Sequence, residues 1–331
     1  MPLIPKTGRN KPKIKALLIG ILAILWLGIF LHLFPVWWMF VTSIKPEREV
    51  FMFPPSLWPK TPTFAIYKMM FYLTYGGWGP VQYPFYVYFK NSAIMTGSIV
   101  IIQVCITSLV AYSLSKLFSA RWSRILFLFF IGTMLVPGTI SLIPRYLMIS
   151  HFPFLTKKVP NIPFTNYPFP SHSFLESYWA VILPLMYAPF SVLLFKGYFD
   201  GIPNELINAA RLDGASEFGI FRRIILPLSK PVFAVISYFA FAGAWNQFIW
   251  PLITLRTNKL WPISVLLYQF QWEMQRWRIQ ASDPQAQRLM AQGIGYNGIM
   301  VVAIIESIPV FIMFVIFREQ LMKGIKLRGF K

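Results

Sequence analysis

The chain is predicted to be an all-α integral membrane protein with six transmembrane helices and a cytoplasmic helix-turn-helix loop between the fourth and the fifth. Three observations support this. Hydrophobic residues make up 56% of the 331 positions and the mean hydropathy is +0.56, above the ~45–50% apolar share of an ordinary soluble domain. The apolar residues are gathered into six runs that approach or exceed the ~20 helical residues needed to cross hydrocarbon. Finally, the net charge of +20 comes from basic residues flanking those runs, which fits a membrane boundary better than a nucleic-acid surface.

The six runs lie at roughly 15–42, 91–116, 124–145, 177–197, 228–255 and 297–318. Inside a bilayer each backbone amide must be satisfied within its own segment, so each run is expected to be a helix. The first follows Lys6, Arg9, Lys11, Lys13 and Lys15 like the start of a signal peptide. It is too long for one and ends without a small-residue cleavage site, so it reads as a retained span. The second carries Gly97, Ser98, Thr107, Ser108, Ala111 and Ser113, small residues that let membrane helices approach closely. Pro184 and Pro189 are expected to interrupt the fourth run, and Pro309 the sixth.

Basic residues set the orientation. With the N-terminus inside, Lys and Arg are more than twofold denser in the inner segments than in the outer ones, placing both termini in the cytoplasm. The expected organisation is a cytoplasmic tail at 1–15, a first span at 16–42 and an external loop at 43–90. A five-helix core follows at 91–318, with external inserts at 146–176 and 256–296, and a cytoplasmic tail at 319–331 closes the chain. The outer loops are rich in proline and aromatics, as in Phe53-Pro54-Pro55 and Tyr167-Pro168-Phe169-Pro170. Such loops either hug the headgroup region or dock an external partner. Residues 271–290, with Glu273, Arg276, Arg278, Asp283 and Arg288, read as an external amphipathic helix.

Enzymatic chemistry has no foothold in the sequence. The single cysteine, Cys105, excludes an internal disulfide, and His32, His151 and His172 lie too far apart for a helical metal pair. No catalytic or metal-binding residue is assigned. No Gly-x-x-x-x-Gly-Lys-(Ser/Thr) stretch is present, so the chain has no P-loop for ATP.

The inner loop at 198–227 is the most informative segment. Pro203 suits a helix's first turn, and Glu205 sits near its positive end. Gly214 can adopt the left-handed conformation that stops a helix, and Ser216 can cap the next. Pro227 is expected to end that second helix before span five. Ala209 and Ala210 keep one face flat for close approach of another protein, with Arg211 and Asp213 at its edge for polar contacts. A connector lying on the membrane would be the plain alternative.

The run Asn208-Ala209-Ala210-Arg211-Leu212-Asp213-Gly214-Ala215, followed by Phe221 and Leu226-Pro227-Leu228, closely resembles the EAA loop of binding-protein-dependent ABC transporter permeases. Ala244-Trp245-Asn246-Gln247-Phe248-Ile249-Trp250-Pro251-Leu252 is similar to a stretch common in the carbohydrate branch, which includes the maltose-system inner-membrane permeases. Phe34-Pro35, Ser43-Ile44-Lys45, Asn91-Ser92, Val136-Pro137, Leu142-Ile143-Pro144 and the basic tail at 322–331 also fit that branch. The resemblance covers most of residues 30–331.

The resemblance implies a cell-membrane importer subunit whose loop is a coupling helix, seated in a groove of a separate ATPase dimer that binds ATP and Mg. It further implies a second, similar but distinct permease and an external solute-binding protein, with no cofactor on this chain. The coupling residues are then Glu205, Asn208, Ala209, Ala210, Arg211, Asp213, Gly214, Ala215, Phe221 and Pro227. Asn208 departs from the family's usual glutamate and cannot form an ion pair, leaving Glu205, one turn earlier, as a candidate for the missing charge. The implied solute is a sugar or oligosaccharide; a phosphorylated polyol is the alternative.

Polar groups at bilayer depth are costly and often functional. Asn246 and Gln247, flanked by Trp245 and Trp250, combine amides and aromatic faces as sugar sites do, or else they hold helices together. Glu306 is the acid deepest in a span. It either lines the solute path, or pairs with a basic group of the partner permease, or is protonated in a helix contact. An ion-coupled transporter would need paired ionisable groups near the midplane, and would leave the 198–227 loop unexplained.

Overall fold

Apolar runs become helices here, and prolines and glycines decide where those helices break. The computed structural model describes residues 12–72, 83–150, 173–279 and 295–326, and all regular structure among these is helical. The first part of the chain holds α1 (Pro12–Ser43), α2 (Glu47–Val50), α3 (Ala65–Tyr72), α4 (Phe85–Tyr112), α5 (Ala120–Met134) and α6 (Leu142–Ser150). Next come α7 (Tyr178–Leu185), α8 (Pro189–Phe199), α9 (Asn204–Leu212), α10 (Glu217–Ile220) and α11 (Leu226–Leu228). The last are α12 (Lys230–Trp245), α13 (Ile249–Thr254), α14 (Ile263–Ile279) and α15 (Tyr296–Lys326).

Three of the described helices are individually long and apolar enough to cross a membrane, at Ile14–Ser43, Phe85–Leu117 and Tyr296–Met322. Two further candidates are bent pairs. α7 and α8 meet at 43°, and Glu217–Leu228 meets Lys230–Trp245 at 84°. The proline expectations divide. Pro189 opens α8 as its first residue, where its missing N–H costs nothing. Ala188 before it is extended, with φ −134° and ψ 114°, as a residue preceding proline prefers. Pro184 lies one residue before the end of α7, at the expected break in the fourth run, whereas Pro309 lies inside α15 without ending it.

The expected third span, 124–145, is not one helix. α5 stops at Met134 after 15 residues, about 22 Å of rise, and α6 begins at Leu142. Pro137-Gly138 stand between them; proline removes a helix donor and restrains the residue before it. The expected fifth span also divides, at 246–248, into α12 and α13. The helix expected over 271–290 is described only to Ile279 and begins earlier than expected, at Ile263. Asp283 and Arg288, His151 and His172, and most of the 146–176 insert lie outside the described residues, as do both extreme tails.

The chain divides into two compact units. One comprises Met1–Met70 with Met274–Ile304, and the other Phe71–Glu273 with Ile305–Lys331. In the first, the segment after α1 is pinned by buried polar groups. Lys45, 1% exposed, donates to the Ser56 carbonyl at 2.5 Å and lies 4.4 Å over the Trp38 ring. Burial lowers its pKa from the usual lysine range. The Glu49 carboxylate accepts from the Lys60 amide (2.9 Å) and the Thr61 hydroxyl (3.1 Å). The Lys60 amide bond is the main reason its pKa lies below the usual carboxylate value.

In the second unit α4 packs against α7, α8 and α12. Thr107, Ser108 and Ala111 are essentially buried, so part of the small-residue stripe works as expected. Gly97 does not: a Cβ there would meet nothing within 4 Å. A hydrophobic core runs through Ala111, Tyr112, Leu114, Val192, Phe195, Phe199 and on to Ile207, Ile220, Phe221 and Ile225. Thus the same core holds the spans and the 198–227 loop.

Candidate functional site

The 198–227 loop is two short helices joined by a glycine turn. α9 follows Pro203, which stands just before the helix at φ −56° and ψ 135° and not inside its first turn. Glu205 occupies the first turn and Arg211 the last, both suiting the helix dipole. Gly214 has φ +80°. Its amide donates to the Arg211 carbonyl, and the Ala215 amide to the Ala210 carbonyl, each at 3.0 Å. This is the paired closure that a left-handed residue permits at a helix end. Ser216 then caps α10, its hydroxyl accepting from the Gly219 amide at 3.2 Å.

α10 passes through a π-helical stretch, Phe221–Ile225, into α11. Pro227 therefore lies within helix; the break falls after Leu228, at Ser229. Proline's missing amide leaves a carbonyl one turn back without its helical donor, and the π turn precedes that point. The Tyr198 hydroxyl donates to the Leu228 carbonyl at 3.1 Å.

Polar bonds mount the loop on two spans. The Glu217 carboxylate takes Arg211 Nε at 2.8 Å on one oxygen and the Tyr112 hydroxyl at 2.6 Å on the other. Arg211 also donates to the Lys116 carbonyl at 3.2 Å and to Asn208 Oδ1 at 3.4 Å. Lys116, in the π-helical end of span two, donates to the Ile202 carbonyl (2.7 Å) and Asn204 Oδ1 (2.8 Å). Asp200 accepts from Ser115 and Lys196, both at 2.7 Å.

Of the residues expected from sequence to couple, Glu205, Asn208, Ala209, Arg211, Asp213, Gly214, Ala215 and Pro227 are exposed and Ala210 is half-buried. Phe221 is 7% exposed, packed 5.4 Å from the Tyr112 ring, so it anchors the loop from within. Three residues not singled out by sequence complete the outer surface: Leu206, Phe218 and Leu212, the last 90% exposed. Glu217 was also missed. Its clue is local, since a turn flanked by Arg211 and Glu217 brings opposite charges together.

The membrane residues part company. Trp245 and Trp250 are only 2% and 3% exposed. Trp245 Nε1 donates to the Glu306 carbonyl at 2.9 Å and its ring stacks on Phe241. Trp250 Nε1 donates to the Ala180 carbonyl at 2.8 Å. Both rings are used in packing, the second of the two readings the sequence left open. Asn246 is exposed, and its amide returns to the Ala242 carbonyl at 2.9 Å. The Gln247 backbone carbonyl accepts from Ser264 at 2.9 Å. Glu306 is half-buried.

A cavity of about 260 Å³ opens beside the α7–α8 break, lined from α4, the break itself and α12. Gln103 and Ser191 supply polar atoms and Phe190 and Phe239 part of its apolar wall. Gln103 Nε2 donates to Ser191 Oγ at 3.1 Å. The Tyr187 hydroxyl is buried and without a hydrogen-bond partner among the described residues.

Known proteins share this design. Residues 7–327 match the family described as binding-protein-dependent transport system inner membrane component. The chain is 25% identical over 325 residues to the arabinooligosaccharides transport system permease protein AraQ of Bacillus subtilis (strain 168), covering 98% of this chain and 99% of that one. It is 31% identical over 229 residues to the sn-glycerol-3-phosphate transport system permease protein UgpE of Salmonella typhimurium (strain LT2), covering 69% of this chain and 73% of that one. In fold it is similar to a chain in the crystal structure of a bacterial ABC transporter involved in the import of the acidic polysaccharide alginate. That likeness has a TM-score of 0.71 at 20% identity, covering 96% of this chain and 99% of that chain. The chain belongs to the family of binding-protein-dependent transport system inner membrane components.

Proposed function

We propose that this membrane permease is one half of the channel of an ATP-driven importer for a sugar or oligosaccharide, and that α9 is the lever through which a separate ATPase moves it. One observation carries the reading. The 198–227 loop turns an apolar tip of Leu206, Leu212 and Phe218 outward, while Ile207, Ile220, Phe221 and Ile225 sink into the core shared with the spans. Exposed leucine and phenylalanine on a stiff, core-anchored loop form a surface suited to a partner's groove. Asn208 leaves that grip to shape and to apolar contact, with Glu205 exposed one turn earlier for a charge contact.

The rest of the assembly follows from this. An ATPase dimer binds ATP and Mg, and its closure shifts α9 and opens the channel outward. A second, distinct permease supplies the other half of the path, and an external binding protein delivers the solute. The path crosses six spans with both termini in the cytoplasm, the third, fourth and fifth passing through broken helices. The 43–90 loop and the 146–176 and 256–296 inserts lie outside.

AraQ and UgpE belong by name to systems for a saccharide and for a phosphorylated polyol, so glycerol-3-phosphate-like solutes are the second reading. The test is uptake by reconstituted vesicles that hold the co-purified complex, with the binding protein and solute outside and ATP inside. Uptake that follows ATP after the proton gradient is collapsed supports the importer. Uptake that follows the gradient, or a complex that holds no ATPase subunit after gentle extraction, refutes it. The ligand bound by the co-purified binding protein then decides between saccharide and phosphorylated polyol.

A further inference from the structure

We propose that the head of α5 binds one anionic phospholipid of the inner leaflet, with the headgroup phosphate held by Arg121 and Arg124. The proposal rests on the orientation given above, which puts the turn between the second and third spans on the inner side.

The first turns of α5 build the site. The helix opens Ala120-Arg121-Trp122-Ser123-Arg124-Ile125. Ser123 is the buried member, 8% exposed, and its hydroxyl donates to the Leu114 carbonyl at 2.5 Å. That bond ties the helix to the π-helical turn after α4 and leaves Arg121, Trp122 and Arg124 all exposed. Ile125, Leu128 and Phe129 continue the exposed side, standing three, four or seven residues on from Arg121 and Trp122, on the same helix face. One surface therefore joins two cations, an indole and a strip of hydrocarbon.

Charge and shape narrow the occupant. Arg121 and Arg124 make no ion pair or hydrogen bond among the described residues. No Asp or Glu occurs between Glu49 and Glu176, and Asp200, which follows the α8 helix packed against α5, is already held by Lys196. Basic side chains beside a bilayer attract anionic lipid, and an indole settles at headgroup depth. A zwitterionic headgroup brings its own cation to two uncompensated guanidiniums and is disfavoured there. Trp122 is 59% exposed and Phe129 68%. A soluble anion would satisfy the guanidiniums and leave these apolar groups bare, whereas an acyl chain covers them.

The test reads binding directly. The complete importer is stripped of lipid in detergent and supplied with phosphatidylglycerol or phosphatidylcholine, and native mass spectrometry counts the lipids retained. Wild type is expected to bind phosphatidylglycerol about thirtyfold more tightly than Arg121→Gln/Arg124→Gln, the joint effect of two basic side chains at an anionic headgroup. Both arginines are exposed and unpartnered, so the double variant should fold normally. Arg121→Lys/Arg124→Lys keeps both charges and should retain the lipid. Arg48→Gln removes an exposed guanidinium elsewhere, between Glu47 and Glu49, and should behave as wild type. Added salt should weaken phosphatidylglycerol binding to wild type.

Equal retention of phosphatidylglycerol by wild type and Arg121→Gln/Arg124→Gln overturns the site, as does equal affinity of wild type for the two lipids; both leave the importer reading standing. Displacement of the lipid by inorganic phosphate at constant ionic strength overturns the lipid assignment in favour of a bare anion site. Loss of the second permease from the double variant overturns it in favour of a protein cover. Labelling of Trp122→Cys from outside intact cells by an impermeant maleimide, beyond that of the parent chain, overturns the inner-leaflet placement together with the orientation it rests on.

Discussion

Glu217 holds the 198–227 loop to span two, and on the proposed lever reading removing its carboxylate should separate ATP hydrolysis from transport. Glu217→Ala breaks the 2.8 Å pair with Arg211 and the 2.6 Å bond from Tyr112. The side chains of the ion pair are 37% and 43% exposed, so the pair contributes at the surface level, about 0.2–1 kcal/mol. The Tyr112 bond goes to a charged acceptor, nominally about 1.5–3 kcal/mol; partial exposure of Glu217 places it near the lower end. Together the variant loses roughly 2 kcal/mol of attachment.

Ser216 and Gly214 still form the turn, and Ile207, Ile220 and Phe221 still anchor the loop in the core. The permease therefore remains folded, with a slack joint. With about 1.4 kcal/mol per decade, solute imported per ATP hydrolysed in liposomes should fall by up to about thirtyfold while ATPase activity stays within about twofold. Tyr112→Phe should reproduce part of the loss, and the double variant should be less than additive, because both changes remove one bond. Asn208→Ala, which loses only a 3.4 Å contact to Arg211, should stay near wild type. Unchanged import per ATP in Glu217→Ala, or strict additivity with Tyr112→Phe, would refute the mechanical role of this network.

Leu212→Asp changes a 90% exposed side chain and should leave membrane abundance intact while abolishing co-purification of the ATPase; retention of the ATPase would sink the apolar-tip contact. Gly214→Ala places a Cβ at φ +80°, which should destabilise the loop by about 1–2 kcal/mol, read as a lower thermal midpoint of the solubilised complex. An unchanged midpoint would mean the turn relaxes freely. Trp250→Phe frees the Ala180 carbonyl and should cost about 1–3 kcal/mol with KM unchanged; a shifted KM at full stability would return Trp250 to the solute path. Glu306→Gln should lower uptake at unchanged membrane abundance, and wild-type uptake would remove Glu306 from the path.

The comparison of sequence with structure is most informative at individual residues. Gly214 and Ser216 were readable because their reasons are local. A positive φ favours glycine and a free amide one turn on favours a hydroxyl, whatever surrounds them. Pro189 was readable for the same reason. Pro137 was overlooked as a helix stop because the apolar run continues past it, and hydropathy does not register a missing donor. Pro309 was taken as an interruption, yet α15 continues through it, since whether a helix survives proline depends on the packing around it.

Trp245 and Trp250 show the limit most clearly. Their spacing beside two amides has the composition of a sugar site, and composition is blind to burial. Only packed against Phe241, Ala180 and the Glu306 carbonyl do they become interior residues. Gln103 and Tyr187, 84 positions apart in the chain, line one cavity and had no sequence signal that would join them.

The membrane class, the helical content and the two-helix loop were determined by the sequence alone. Each rests on local quantities: apolar run length, backbone self-satisfaction in hydrocarbon, and the turn chemistry of Gly214 and Ser216. Tertiary structure alone decided which side chains hold the 198–227 loop, which tryptophans are spent on packing, and where an uncharged cavity opens. These depend on contacts between α4, α8 and α12 and the 198–227 loop, whose residues meet in space while lying far apart along the chain.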